Sequence, residues 1–187
     1  MNLLYLLNNQ HRLIMPIQNI KGMLMEFAPQ NVEAIAVFMR TGFNPRNGVW
    51  LEIPNKEENL ISLDCLNEIP EKPWLVSHDT IFEIKVDVFE KLKCIYIFSN
   101  PDDQKAYFGF DAIEDCINRS LNRLSECNIK SVAYILISAT ENKDRINNDY
   151  DDTKSAKLMI QSIQKWIENN RDLEVCLVDR VGGFENI

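Results

Sequence analysis

Two loops hold the residues of this chain best suited to grip a ligand. The first is Thr41-Gly-Phe-Asn-Pro-Arg-Asn-Gly48, with Arg40 just before it. Gly42 and Gly48 let a backbone approach an anion closely, Asn44 adds an amide, and Arg40 and Arg46 can meet a phosphate or carboxylate. The second is Ser138-Ala-Thr-Glu-Asn-Lys143, where the hydroxyls of Ser138 and Thr140, the Asn142 amide and the Lys143 cation suit a polar ligand. Ser99, between Phe98 and Asn100, ends another apolar run and follows the same logic. No catalytic residue is assigned. The two histidines are His11 and His78, and adjacent residues such as His78-Asp79 point to opposite sides of an extended chain. Asp144, Asp149, Asp151 and Asp152 lack the spacing, central glycine and terminal Glu of a calcium loop. They read instead as a loop that caps the next helix and sets negative charge at its positive end, so no metal is expected.

The elements that must position these loops follow from hydrophobic periodicity. Cys94–Ser99 is a short β-favouring run closed by Asn100-Pro101. Asp111 and Glu114 form a capping-box pattern, and Ile113, Cys116, Ile117, Leu121 and Leu124 make one helical face that ends near Cys127-Asn128. Val132–Ser138 reads as a buried strand. A second helix carries the stripe Ala156, Met159, Ile160, Ile163, Trp166 and Ile167, ends at Asn169-Asn170, and is followed by the strand Glu174–Asp179. Apolar strands alternating with amphipathic helices imply parallel pairing through right-handed crossovers. In the first half, Val32–Met39 is a strand and Ile20–Phe27 reads as another. Val49–Ile53 is exposed on one face, and Leu60–Leu66 and Trp74–Val76 are short apolar runs. Ile81–Val88 alternates as an edge or half-buried strand with Glu83, Lys85 and Asp87 on its polar side. Each candidate loop therefore follows the carboxyl end of a strand, where open α/β sheets bind ligands.

The bulk composition sets bounds. A chain of 187 residues with 45% hydrophobic and 26% charged residues has the make-up of one globular α/β domain, residues 1–187, with residues 1–15 as an N-terminal extension packed on it. A net charge of -8 repels phosphate backbones, which argues against nucleic-acid binding and suits a basic protein partner. No apolar stretch reaches the roughly 20 residues that span a bilayer, and Met1–Leu7 lacks a basic flank and a cleavage site, so neither a membrane anchor nor a signal peptide is expected. The cysteines Cys65, Cys94, Cys116, Cys127 and Cys176 form no C-x-x-C pair. They read as small apolar residues in a reducing cytoplasm.

Taken in order, these segments resemble the macro domain, a three-layer α/β/α fold with a mixed, largely parallel sheet that binds ADP-ribose and related nucleotides. Ile20-Lys-Gly-Met-Leu24 is similar to the family's Ile-x-Gly-Asp-Ile opening, and Val32-Glu-Ala-Ile-Ala-Val37 to its Val-Asp-Ala-Ile-Val-Asn strand. Leu92-Lys-Cys-Ile-Tyr-Ile97 stands where a strand ends in Val-Ile-His, and Ser131-Val-Ala-Tyr-Ile-Leu-Ile-Ser-Ala-Thr140 resembles Ser-Ile-Ala-Phe-Pro-x-Ile-Ser-x-Gly. The departures fall on the family's ligand-contact positions. Met23 replaces the Asp that holds the adenine amine, and Val37 and Arg40 stand at the Asn positions. The two glycine-rich loops are reduced to Thr41–Gly48 and Ala139-Thr-Glu-Asn-Lys143. The resemblance implies binding of ADP-ribose or a related nucleotide-type ligand, without the family's hydrolase residues and without a cofactor. The alternatives are a degenerate macro fold serving as a protein–protein interaction module, and an atypical ADP-ribosyl hydrolase with relocated residues. The ligand-contact set expected is Arg40, Gly42, Asn44, Gly48, Ser99, Ser138, Thr140 and Asn142.

Overall fold

The computed structural model describes residues 17–39, 81–87, 89–99, 108–137, 139–140, 151–170 and 172–179. In chain order the elements are β1 (Gln18–Lys21), α1 (Leu24–Asn31), β2 (Ala34–Met39), β3 (Ile81–Lys85), β4 (Cys94–Ser99), β5 (Phe108–Gly109), α2 (Phe110–Glu126), β6 (Ser131–Ile135), β7 (Ala139–Thr140), α3 (Asp152–Asn169) and β8 (Glu174–Asp179). Six strands form one sheet in the order β1-β8-β6-β2-β4-β3. Every pairing is parallel except β3 with β4, which places the alternating Ile81–Lys85 at an antiparallel edge.

The period-2 rule divides the core in two. Ala34, Ala36, Tyr96, Phe98, Val132, Tyr134, Val175 and Leu177 face α2 and α3. Their sequence neighbours Ile35, Val37, Ile95, Ile97, Ala133, Cys176 and Val178 face the cluster that holds Met25 and Ala28 of α1. Helices on both faces of a mixed, largely parallel sheet make the three-layer α/β/α architecture. The crossovers obey one hand: α1 links β1 to β2 in one direction on one face, while α2 and α3 carry the chain back the other way on the opposite face.

The helix ends show how local chemistry sets the boundaries. Asn128 takes a left-handed φ of 58° after α2. There its N–H reaches the Ser125 carbonyl at 2.9 Å and the Ile129 N–H reaches the Leu124 carbonyl at 3.0 Å. This is the Schellman closure, with Asn tolerated where glycine is commoner. At the start of α3 the Asp151 carboxylate accepts the Lys154 N–H at 2.8 Å, the capping role expected for this acidic stretch. Replacing Asp151 by Ala is expected to cost about 1 kcal/mol in urea denaturation, and replacing it by Asn a few tenths at most. Equal losses for the two would contradict the cap.

Several boundaries differ from the sequence reading: β2 begins at Ala34 and not at Val32, which is the C-cap of α1, and β3 ends at Lys85. Ile20–Phe27 is not a strand: it turns at Gly22 and enters α1 at Leu24. Asp111 is not the N-cap of α2: Gly109 takes that position and Asp111 lies in the first turn. The strand Val132–Ser138 stops pairing at Ile135. Residues 1–15, the runs at 49–53, 60–66 and 74–76, His11, His78, Cys65, Asp144 and Asp149 lie outside the described residues.

Candidate functional site at the carboxyl edge of the sheet

The sheet divides between β2 and β6. Their register runs only from Ala34 opposite Val132 to Ala36 opposite Tyr134. Beyond it, β2 continues beside β4 as far as Met39 and Ser99, while β6 continues beside β8 as far as Ile135 and Val178. This is also where the chain's direction across the sheet reverses, since β4 lies on one side of the seam and β8 on the other. A parallel sheet opens a ligand crevice at such a switch point, on the carboxyl side.

The side chains below the seam are apolar and aromatic. Phe38 is half-buried, with its ring 6.0 Å from that of Tyr134 and 5.6 Å from that of Phe98. Phe98 itself is fully buried, so it belongs to the core under the crevice and not to its wall. The Tyr134 hydroxyl meets Ser120 Oγ at 2.8 Å, and burial raises its phenol above the ordinary tyrosine range. It therefore stays neutral at physiological pH. Burial likewise pushes the Cys116 thiol up to about 12 and the Cys176 thiol up to about 11. A thiol needs to ionise to attack, so these two are unreactive packing groups.

After Ile135 the chain steps off the sheet and is caught by α3. The Ile137 N–H donates to Met159 Sδ at 3.2 Å and the Ala139 N–H to Ser155 Oγ at 3.2 Å. Ala139 and Thr140 then run parallel to Phe108 and Gly109 as a short second sheet. Gly109 caps α2, and the Asp151 N–H that opens α3 donates to the Ala139 carbonyl at 3.3 Å. The amino ends of two long helices therefore converge on residues 139–140. Each carries a partial positive charge, a setting that favours an anion. Asp111 and Asp152 in the first turns offset part of that charge. Lys154 lies over the Phe110 ring, 4.0 Å from its centre, and ties the two first turns together.

On the far side of β8, the Gly22 N–H donates to the Asp179 carbonyl at 3.0 Å. Its φ of 156° is one that side-chain-bearing residues rarely adopt. Met23 follows at the N-cap of α1, 42% exposed, with no side-chain capping bond.

Of the residues expected from sequence, the backbone of Ser99 ends β4 opposite Met39, and Thr140 ends β7 opposite Gly109. Arg40, Gly42, Asn44, Gly48, Ser138 and Asn142 lie outside the described residues. Sequence reasoning missed Phe38 and Ser155 as parts of this edge. Ser155 had a signal: it is a polar residue on an otherwise apolar helical stripe, four positions before Met159. Among the described residues no group of His, Cys, Asp and Glu side chains could hold a metal, and no helix is long and apolar enough to cross a membrane.

No family model matches the chain. No curated protein matches it by sequence either. The structure, by contrast, resembles many solved macrodomains. One is the Trypanosoma brucei macrodomain in complex with ADP-ribose (TM-score 0.63, 14% identity, covering 91% of this chain and 68% of that one). A second is the macrodomain of Thermus aquaticus DarG (0.55, 14%, 88% and 98%). A third is the Oceanobacillus iheyensis macrodomain with MES bound (0.57, 13%, 90% and 87%). The chain has the macrodomain fold in a divergent form.

Proposed function

We propose that this divergent macrodomain binds ADP-ribose or a related nucleotide-type ligand in the crevice where β2 and β6 part. The observation that carries the reading is the convergence of the amino ends of α2 and α3 on residues 139–140, beside that seam. It supplies positive potential suited to a diphosphate. A solved structure of the same fold holds ADP-ribose. The contacts are assigned to Arg40, Gly42, Asn44, Gly48, Ser99, Ser138, Thr140 and Asn142. We assign no hydrolytic step. Val37 stands where the resemblance calls for an amide, and it is 2% exposed, packed in the cluster on the α1 face.

The test is thermal unfolding with ADP-ribose, ADP and NAD. A ligand that binds only the folded state at a hundred times its Kd adds about 2.7 kcal/mol. For a chain of this size that raises Tm by roughly 5 to 10 °C. No shift with any of the three at millimolar concentration overturns the proposal and favours the interaction-module reading, in which a basic protein occupies this acidic chain.

A further inference from the structure

Asp151, the N-cap of α3, and Ser155 and Met159 within it lie four residues apart, and all three bond to the same short length of backbone. The Asp151 N–H donates to the Ala139 carbonyl, the Ala139 N–H to Ser155 Oγ, and the Ile137 N–H to Met159 Sδ. Ser155, Met159 and Ala139 are fully buried and Ile137 is nearly so. β6 has lost β2 as a pairing partner after Tyr134, so these backbone groups would otherwise be buried without partners. A thioether is a weak acceptor, and its use here shows that α3 supplies what the sheet no longer does. The sequence has no glycine between Gly109 and Gly182, so no glycine shapes the backbone at Ile137 or Ala139.

We infer that Ser155 and Met159 are positioning residues: from behind, without contacting the ligand, they fix the backbone of Ile137 and Ala139, beside which it rests. The inference builds on the nucleotide-binding reading above. In it, the helix performs the backbone shaping that glycines would give a loop of another sequence.

Two measurements on the full chain test it. Amide hydrogen exchange needs no ligand. Ser155→Ala is expected to speed exchange at Ala139 by about tenfold or more, and Met159→Leu to do the same at Ile137, with β2 and β8 unchanged. Titration with ADP-ribose is expected to show Ser155→Ala binding about tenfold more weakly than wild type, the worth of one buried hydrogen bond. Ser155→Thr, which keeps the hydroxyl, is expected to restore both readouts. Met159→Leu conserves volume and carries the test if Ser155→Ala does not fold. Unchanged exchange at residues 137 and 139 overturns the clamp. So does faster exchange everywhere, which reports only lost stability. Wild-type affinity in a folded Ser155→Ala overturns the link to the ligand. If wild type binds no ADP-ribose, the binding reading itself falls, and the exchange result alone decides the clamp.

Discussion

Phe98→Ala is expected to remove about 3–5 kcal/mol of stability, the usual cost of deleting a fully buried phenyl ring. Phe98 sits near the carboxyl end of β4 with no exposure, in register with Phe38 on one side and Ile81 on the other. Its ring lies 5.6 Å from that of Phe38 and 6.3 Å from that of Tyr96. Both neighbours sit on strands, so neither can move far to fill the void. A domain has only about 5–15 kcal/mol in hand, so the variant gives up about a fifth or more of the total. At roughly 2 to 4 °C per kcal/mol, Tm falls by about 6 to 20 °C. Phe98→Leu, which keeps most of the volume, is expected to lose less than about 1.5 kcal/mol. The comparison separates two roles for the ring. If Phe98 lined the crevice instead of the core, Phe98→Ala would cost little and would alter ligand binding first. A loss below about 1.5 kcal/mol for the alanine variant in urea denaturation contradicts the packing described here.

The second large effect lies on the same face of the sheet. Ser120 Oγ donates to the Ile117 carbonyl at 2.8 Å, so its single proton is already used. The Tyr134 hydroxyl, 2.8 Å away, must therefore donate to Ser120. Both residues are fully buried. Ser120→Ala leaves the phenol proton with no acceptor in an apolar environment and is expected to cost about 1–3 kcal/mol. Tyr134→Phe removes the proton itself and leaves Ser120 still bonded to Ile117, for a smaller loss near 1 kcal/mol. The double variant contains neither orphan, so its cost is expected to fall short of the sum by at least about 0.5 kcal/mol. Strict additivity in a denaturant double-mutant cycle would show that the two hydroxyls do not interact.

The parts of the fold legible in the sequence are those where one partner decides everything. Glu174–Asp179 is apolar on both faces because helices cover both, and it reads as a buried strand with the bounds the structure gives it. The stripes of α2 and α3 are legible for the same reason: Ile113, Cys116, Ile117, Leu121 and Leu124 all face one sheet and all are buried. Leu24–Asn31 was misread because a short helix of Leu, Met, Phe and Ala gives an apolar run with no clear period, and Pro29 near its end hides its helicity. The end of β6 was misread because periodicity reports burial, not who accepts each N–H. Leu136 and Ile137 are as apolar as the strand before them, yet the Ile137 N–H bonds to the Met159 side chain of α3 instead of to a strand. At the candidate site, the sequence places Ser99 at a strand end and β4 ends there, but it places Thr140 just past the strand Val132–Ser138, whereas the structure gives it a separate two-residue strand, β7. The seam between β2 and β6 was not legible. It depends on where two remote strands stop pairing, which neither strand encodes alone.

The pairing of β1 with β8 has a consequence for the order in which this chain is built. Gln18 lies opposite Cys176, and Gly22 bonds to Asp179, so among the described residues the first strand pairs with the last. β4 and β6 each pair with β2, which precedes them in the chain, and β8 pairs with β6, so each finds a partner already made as it leaves the ribosome. β1 does not. It must wait, unpaired, until β8 has been synthesised, and contacts between such distant segments form late. Until that strand docks, β8 presents an open edge to other nascent chains, the form in which such a sheet is most exposed to aggregation.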